Sequence, residues 1–176
     1  IVALGRGDRQ GDVVRMLDQA CYLAGPAQLE QVEFLRPLVQ MVAAAVSSPD
    51  RQIDFEVRGE AGTLPAEVAT PMAVVLTELL QNTADHAFPD EAPPEAHYKV
   101  IVELAEGKDE FVIRVIDNGV GVPPEFSIEK ATGLGLSIVR ALVTSDLRGT
   151  IDLFEPPDGT PGTIVELRVP TEVAPI

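Results

Sequence analysis

The sequence has no tryptophan, two tyrosines and six phenylalanines, so aromatics make up only 5% of its residues. Any core must therefore rest on Val, Leu, Ile and Ala, and the hydrophobic fraction of 45% supplies enough of them. A single cysteine, Cys21, excludes both a disulfide within the chain and a cysteine-based zinc site. Two histidines, His86 and His97, are too few for a histidine-rich metal centre. This sparing use of cysteine fits a reducing, cytoplasmic compartment. Cations are scarce as well: 13 Lys and Arg stand against 28 Asp and Glu, a formal net charge of −15. Binding of nucleic acid needs clustered Lys and Arg to neutralise phosphates, so no nucleic-acid partner is expected. A small anionic ligand remains open, because backbone N–H groups, a helix N-terminus and a metal ion can hold one. Long apolar runs are missing too. Runs such as Met72 to Leu76 fall far short of the ~20 residues that span a bilayer, and no membrane contact is expected. No targeting segment is visible, and the chain starts at Ile1 without Met, which reads as a fragment.

What is present is periodic. The length of 176 residues suits one domain with a small additional segment. Residues 1–49 read as an N-terminal helical segment, a linker or a remnant of a dimerisation region, and residues 50–172 as the domain proper. In the first part, Val13, Val14, Leu17, Ala20 and Cys21 recur at helical spacing until Gly25-Pro26. A second helix is predicted over Val32–Val46, with Pro37 forcing a kink or a start near Arg36. Ile53, Phe55 and Val57 alternate with Asp54, Glu56 and Arg58, a half-buried strand closed by Gly59. Thr70 as N-cap and Pro71 at the first position predict a helix running to about Ala87. Tyr98–Leu104 and Phe111–Ile116 read as an antiparallel hairpin around Gly107. A helix from about Gly135 to Ser145 follows, then strands at Thr150–Phe154 and Thr163–Val169. This order predicts an α+β fold, a two-layer α/β sandwich with one mixed sheet and its helices on one face.

Three segments carry chemistry. Glu78 and Asn82 lie four apart in the helix after Pro71 and share a face, which Asp85 and His86 extend. A carboxylate and an amide one turn apart suit Mg²⁺, which takes oxygen ligands, and the carboxylate could also act as a base. A solvated polar helix face would look the same. In the second segment, Val115-Ile116-Asp117-Asn118-Gly119-Val120-Gly121, an apolar strand delivers a carboxylate to its end. Two glycines then let a ligand approach the backbone. Asp117 could accept a hydrogen bond from an exocyclic amine such as that of adenine; a plain Asp-Asn-Gly turn is the alternative. In the third, Gly133-Leu134-Gly135-Leu136 opens a helix whose first N–H groups could receive phosphate oxygens. It is neither a Walker loop, which needs Gly-Lys-Ser/Thr, nor a dinucleotide fingerprint, which needs a strand immediately before it.

Taken in order, these segments resemble the Bergerat-type (GHKL) ATPase domain shared by histidine kinases, a heat-shock chaperone, type II topoisomerases and mismatch-repair ATPases. The resemblance covers about residues 50–170, with Gly162-Thr163 matching the family's last element. Details of the helix and of Pro124-Glu125-Phe126-Ser127-Ile128-Glu129-Lys130 look most similar to the actinobacterial cytosolic two-component sensor kinases. The resemblance implies ATP and Mg²⁺ as ligands. Asn82 would hold Mg²⁺, and Glu78 would act as base and reach the metal through water. Asp117 would read the adenine amine, with Thr163 holding Asp117 through water. Gly119, Gly121, Gly133, Gly135 and Leu136 would shape the pocket, and His86 would reach the phosphates or ribose. Residues 122–132 would form a lid. Two departures matter. Many members carry a Lys where Asp85 stands, a role that Lys130 in the lid could take over here. The acceptor histidine expected on a helix before the domain is missing, since residues 1–50 hold no His. The implied function is thus the ATP-binding catalytic part of a sensor histidine kinase. Its acceptor-histidine domain would lie outside this chain, with a response regulator as the further partner. A serine kinase resembling the anti-sigma factors and a non-catalytic ATP-sensing module remain open.

Overall fold

The computed structural model describes residues 29–46, 52–60, 63–64, 66–89, 96–128 and 133–171. The helix expected through Val13 and Cys21, and Lys130, lie outside them. Two elements come first: a short strand β1 (Leu29–Glu30) and helix α1 (Gln31–Val46). Strands β2 (Ile53–Glu60) and β3 (Thr63–Leu64) follow, then helix α2 (Ala66–His86). Next are β4 (Tyr98–Glu106), β5 (Glu110–Asp117) and helix α3 (Leu134–Ala141), which continues into a π-helical turn over Leu142–Asp146. The last strands are β6 (Thr150–Phe154) and β7 (Thr163–Pro170).

Five strands form one sheet in the order β2-β4-β5-β7-β6. β2 runs parallel to β4 and every other pairing is antiparallel, so the sheet is mixed, as expected. The α+β sandwich follows from the alternation along each strand. Val100, Val102, Leu104, Phe111, Ile113, Val115, Leu167 and Val169 point inward and are buried. They join one apolar core with Leu35, Leu38, Val39 and Val42 of α1, Met72, Val75, Leu76 and Leu80 of α2, and Val139 of α3. Helix α1 therefore shares the core of the sheet. Branched aliphatic side chains do the work that aromatics do elsewhere; burying each contributes about 1.5–3 kcal/mol.

Several boundaries differ from the sequence reading. Helix α2 starts at Ala66, not at Pro71. Buried Val68 lies one turn before buried Met72, so the apolar face extends upstream and its burial outweighs the backbone hydrogen bond Pro71 lacks. Likewise α1 runs through Pro37 without a new start, with Leu35 and Leu38 buried on either side of it. β2 continues past Gly59 to Glu60, because both residues pair with β4, at Leu104 and Ala105. β1 and β3 form a two-stranded antiparallel sheet, pairing Leu29 with Leu64 and Glu30 with Thr63, which the sequence reading did not predict. The helix over 134–146 changes type at Leu142: Leu147 N–H donates to the Leu142 carbonyl at 2.9 Å, five residues back. Val139, Val143 and Leu147 all stay buried through this change.

The other sheet face carries charge. Glu166, its side chain only 7% exposed, accepts hydrogen bonds from Arg114 Nε at 2.7 Å and Arg168 Nε at 2.8 Å. Burial alone would raise its pKa, but the two guanidinium groups outweigh that and hold the carboxyl below its ordinary value. A lowered carboxylate stabilises the fold above the ordinary glutamate pKa of 4.5, and that contribution fades as pH falls through the lowered value. Glu166→Gln is therefore expected to lose about 1 kcal/mol at pH 7, since both arginines are part-exposed and screened. The difference between the urea midpoints of the two proteins should shrink as pH falls below 4.5; a difference that does not shrink with falling pH would refute the assignment.

Candidate functional site

Four segments meet at one end of the sandwich: the C-terminal half of α2, the end of β5, the start of α3 and the start of β7. Asp117 is the last residue of β5 and faces inward, 6% exposed. Its Oδ1 accepts from Gly119 N–H at 2.9 Å. Thr163, its partner across the β5–β7 ladder, donates both its backbone N–H and its hydroxyl to the same carboxylate. Burial pushes the Asp117 carboxyl up, and the three hydrogen bonds pull it back only in part, so its pKa stays above the ordinary value. The sign matters. A raised carboxyl favours the fold below the ordinary aspartate range and loses that contribution as pH rises through its own pKa. At neutral pH the fold carries this carboxylate at a cost, a pattern that marks candidate ligand-binding groups.

Close backbone approaches shape the loop after Asp117. A Cβ on Gly119 would collide with the Ala87 carbonyl oxygen, to which Val120 N–H donates at 2.9 Å. The loop is thereby fastened to the end of α2. Gly121 has φ +77° and stacks on Gly162, whose own φ is +140°. A Cβ on Gly162 would fall on the Asp117 carbonyl oxygen, so β7 can enter the sheet only over a glycine here.

On α2, Glu78 and Asn82 turn toward the start of α3. A Cβ on Gly135 would lie 2.6 Å from Glu78 Oε2 and 3.7 Å from Asn82 Nδ2, so the absent side chain is what admits them. Asn82 Nδ2 is buried and has no hydrogen-bond partner among the described residues. Gly133 is the exposed N-cap of α3, and its carbonyl accepts from Ser137 N–H at 3.0 Å. The first N–H groups of a helix have no acceptor within it, so this end can receive an anion. Leu136 is half-buried and packs against the core. His86 is exposed at the last turn of α2, as is Asp85. Of the expected lid, residues 122–128 contain a turn in which Phe126 N–H donates to the Pro123 carbonyl at 2.8 Å, and Ile128 is buried. Residues 129–132 lie outside the described residues.

The structure thus joins Asp117, Gly119, Gly121 and Thr163 in one cluster and Glu78, Asn82 and Gly135 in another, with α2 running through both. Sequence reasoning missed three contributors. Ala87 acts through its carbonyl, which any residue type could supply, so no signal existed. Gly162 was visible only as the neighbour of Thr163. Asn118 read simply as part of a turn.

Comparison with known proteins places the chain in a family. Residues 67–173 match the family model described as histidine kinase-, DNA gyrase B-, and HSP90-like ATPase, and the chain belongs to that family. Among its relatives, the sensor histidine kinase PdtaS of Mycobacterium tuberculosis is 36% identical over 141 residues, 80% of this chain and 26% of that protein. PdtaS of Mycolicibacterium smegmatis is 40% identical over 125 residues, 71% of this chain and 24% of that protein. The chain therefore spans about a quarter of the length of these curated relatives. The fold is also that of the histidine kinase domain from the Erythrobacter litoralis EL346 blue-light activated histidine kinase. That structure has a TM-score of 0.75 and 23% identity over 93% of this chain and 74% of that one. Among the described residues no helix is long and apolar enough to cross a membrane.

Proposed function

We propose that this chain binds Mg-ATP and transfers the γ-phosphate to a histidine supplied by a region outside it, as the catalytic part of a cytoplasmic two-component sensor kinase. The observation that carries the reading is the buried Asp117 carboxylate, held at the mouth of the sheet by Gly119 and Thr163. A carboxylate so oriented accepts from an exocyclic amine, which adenine has and guanine lacks at the equivalent position. Gly119 and Gly121 would let the base approach the backbone beside it. Gly133, Gly135 and Leu136 would turn the open end of α3 toward the phosphates, and His86, exposed in the last turn of α2, would reach phosphate or ribose.

The metal fits the residues present. Asn82 supplies an amide oxygen and Glu78 a carboxylate one turn away, both of the oxygen class that Mg²⁺ prefers, while the orphaned Asn82 Nδ2 could donate to a phosphate oxygen beside the ion. Asn82 would hold the ion by its amide oxygen and Glu78 through a water; once bound, it would neutralise charge on the transferring phosphoryl group. Glu78 would also orient the acceptor imidazole or accept its proton. A response regulator would then take the phosphate from that histidine.

Two measurements test this. γ-labelled ATP is mixed with this chain and a separately supplied acceptor-helix domain from a PdtaS-like kinase; label on histidine is the expected result. Label on a serine of a small partner protein would favour the serine-kinase reading, and tight nucleotide binding with no transfer the sensing module. Asp117→Asn is expected to weaken ATP binding about 10–100-fold, because its amide offers a donor to a donor and leaves buried N–H groups unmatched. Wild-type affinity in that variant would remove the adenine assignment.

A further inference from the structure

The β4–β5 ladder ends at the pair Val100↔Asp117. Beyond it β5 must leave the sheet so that Gly119 and Val120 can reach Ala87. That departure would strand the next backbone groups of the chain entering β4. The Asn118 side chain takes both. Its Oδ1 accepts from Lys99 N–H at 2.7 Å and its Nδ2 donates to the His97 carbonyl at 2.8 Å. Its own N–H donates to the Lys99 carbonyl at 3.3 Å. The carboxamide thus serves as a surrogate peptide group: one acceptor and one donor, spaced as a strand would present them. Asn118 is itself exposed, whereas Asp117 beside it is buried. Anchoring residue 118 outward fixes the backbone from which the Asp117 carboxylate turns inward.

We propose that Asn118 is a specificity-positioning residue: by clamping the turn to the entry of β4 it holds Asp117 where it discriminates the amino group of adenine. This rests on the nucleotide reading given above. Only an amide makes both bonds. A carboxylate keeps the bond from Lys99 N–H but sets a negative oxygen against the His97 carbonyl, and alanine makes neither.

The test uses the whole chain and compares Mg-ATP with Mg-ITP, whose base carries a carbonyl where adenine carries the amine. Dissociation constants are measured by calorimetry for wild type, Asn118→Ala, Asn118→Asp, Asn118→Gln and Asp117→Ala. The wild type is expected to favour ATP, and Asp117→Ala to abolish that preference. Asn118→Ala is expected to weaken ATP binding about tenfold while changing ITP binding less than about threefold, so the ratio collapses. Asn118→Asp should follow it, and Asn118→Gln, which retains the amide, should restore part of the ratio. A purely structural role would weaken both nucleotides equally and leave the ratio intact, which overturns the proposal. The same holds if Asn118→Ala keeps the wild-type ratio while Asp117→Ala loses it, and then the adenine reading survives. A wild type that does not distinguish ATP from ITP would instead fail that reading, and the proposal with it. Should Asn118→Ala not fold, the Asp and Gln variants decide by the same ratio.

Discussion

Glu78→Gln is expected to bind Mg-ATP within a few-fold of wild type, yet to transfer phosphate to a supplied acceptor histidine about 10²–10⁴-fold more slowly. The substitution is nearly isosteric, so the packing of the side chain against Gly135 survives, and with it the junction of α2 and α3. What it removes is the negative charge and the capacity to take a proton. Because the adenine end of the site is built from different residues, Asp117, Gly119 and Thr163, ground-state binding should lose only the few-fold that the water-mediated hold of Glu78 on Mg²⁺ supplies. A loss confined to the transfer step is the signature of an interaction made in the transition state. Single-turnover transfer from γ-labelled ATP, alongside calorimetric binding, separates the two. An equal loss in binding and transfer would mean that Glu78 acts only through the metal or the fold and not as the base. A Gln variant as fast as wild type would mean that it has no part in the chemistry.

The fold was legible wherever burial writes a period into the chain. Alternation along Ile53–Val57, Tyr98–Leu104 and Phe111–Ile116 follows from strands with one buried face, and those strands form the sheet. Boundaries were less legible, because packing overrides local signals. Thr70-Pro71 is a good helix start by capping rules, but the burial of Val68 draws the helix back to Ala66. The short β1–β3 pair could not be read, since two residues per strand carry no period. At the candidate site, Glu78, Asn82, Asp117 and the glycines stood out by residue type and spacing, and the structure gathers them into two clusters. What stayed hidden were contacts made by backbone atoms far apart in sequence. The Ala87 carbonyl that receives Val120 N–H, and the surrogate strand made by Asn118, depend on how α2, β4 and β5 end together rather than on any local pattern.

Gly162→Ala should be the most damaging small substitution at the site, for two reasons that add. Its φ of +140° is a conformation that L side chains rarely adopt, and strain of that kind costs about 1–3 kcal/mol. Its new Cβ would also fall on the Asp117 carbonyl oxygen, a backbone atom that cannot swing aside as a side chain could. Relief requires β7 and β5 to separate just where Thr163 pairs with Asp117. The expected total is about 3–5 kcal/mol of lost stability, in the range of overpacked or strained buried sites. At temperatures where the variant is still folded, ATP binding should fall by at least about 100-fold, because the displaced groups are those that hold the Asp117 carboxylate. Gly159→Ala provides the contrast. Gly159 also has positive φ, +74°, but a Cβ there meets nothing within 4 Å. It should lose only about 1 kcal/mol or little more to strain and bind ATP as wild type does. If the two variants lose stability equally, backbone strain alone explains both and the close approach of Gly162 to Asp117 is without consequence. If Gly162→Ala is destabilised but binds ATP normally, the junction of β5 and β7 is a structural seam and not the frame of the nucleotide site.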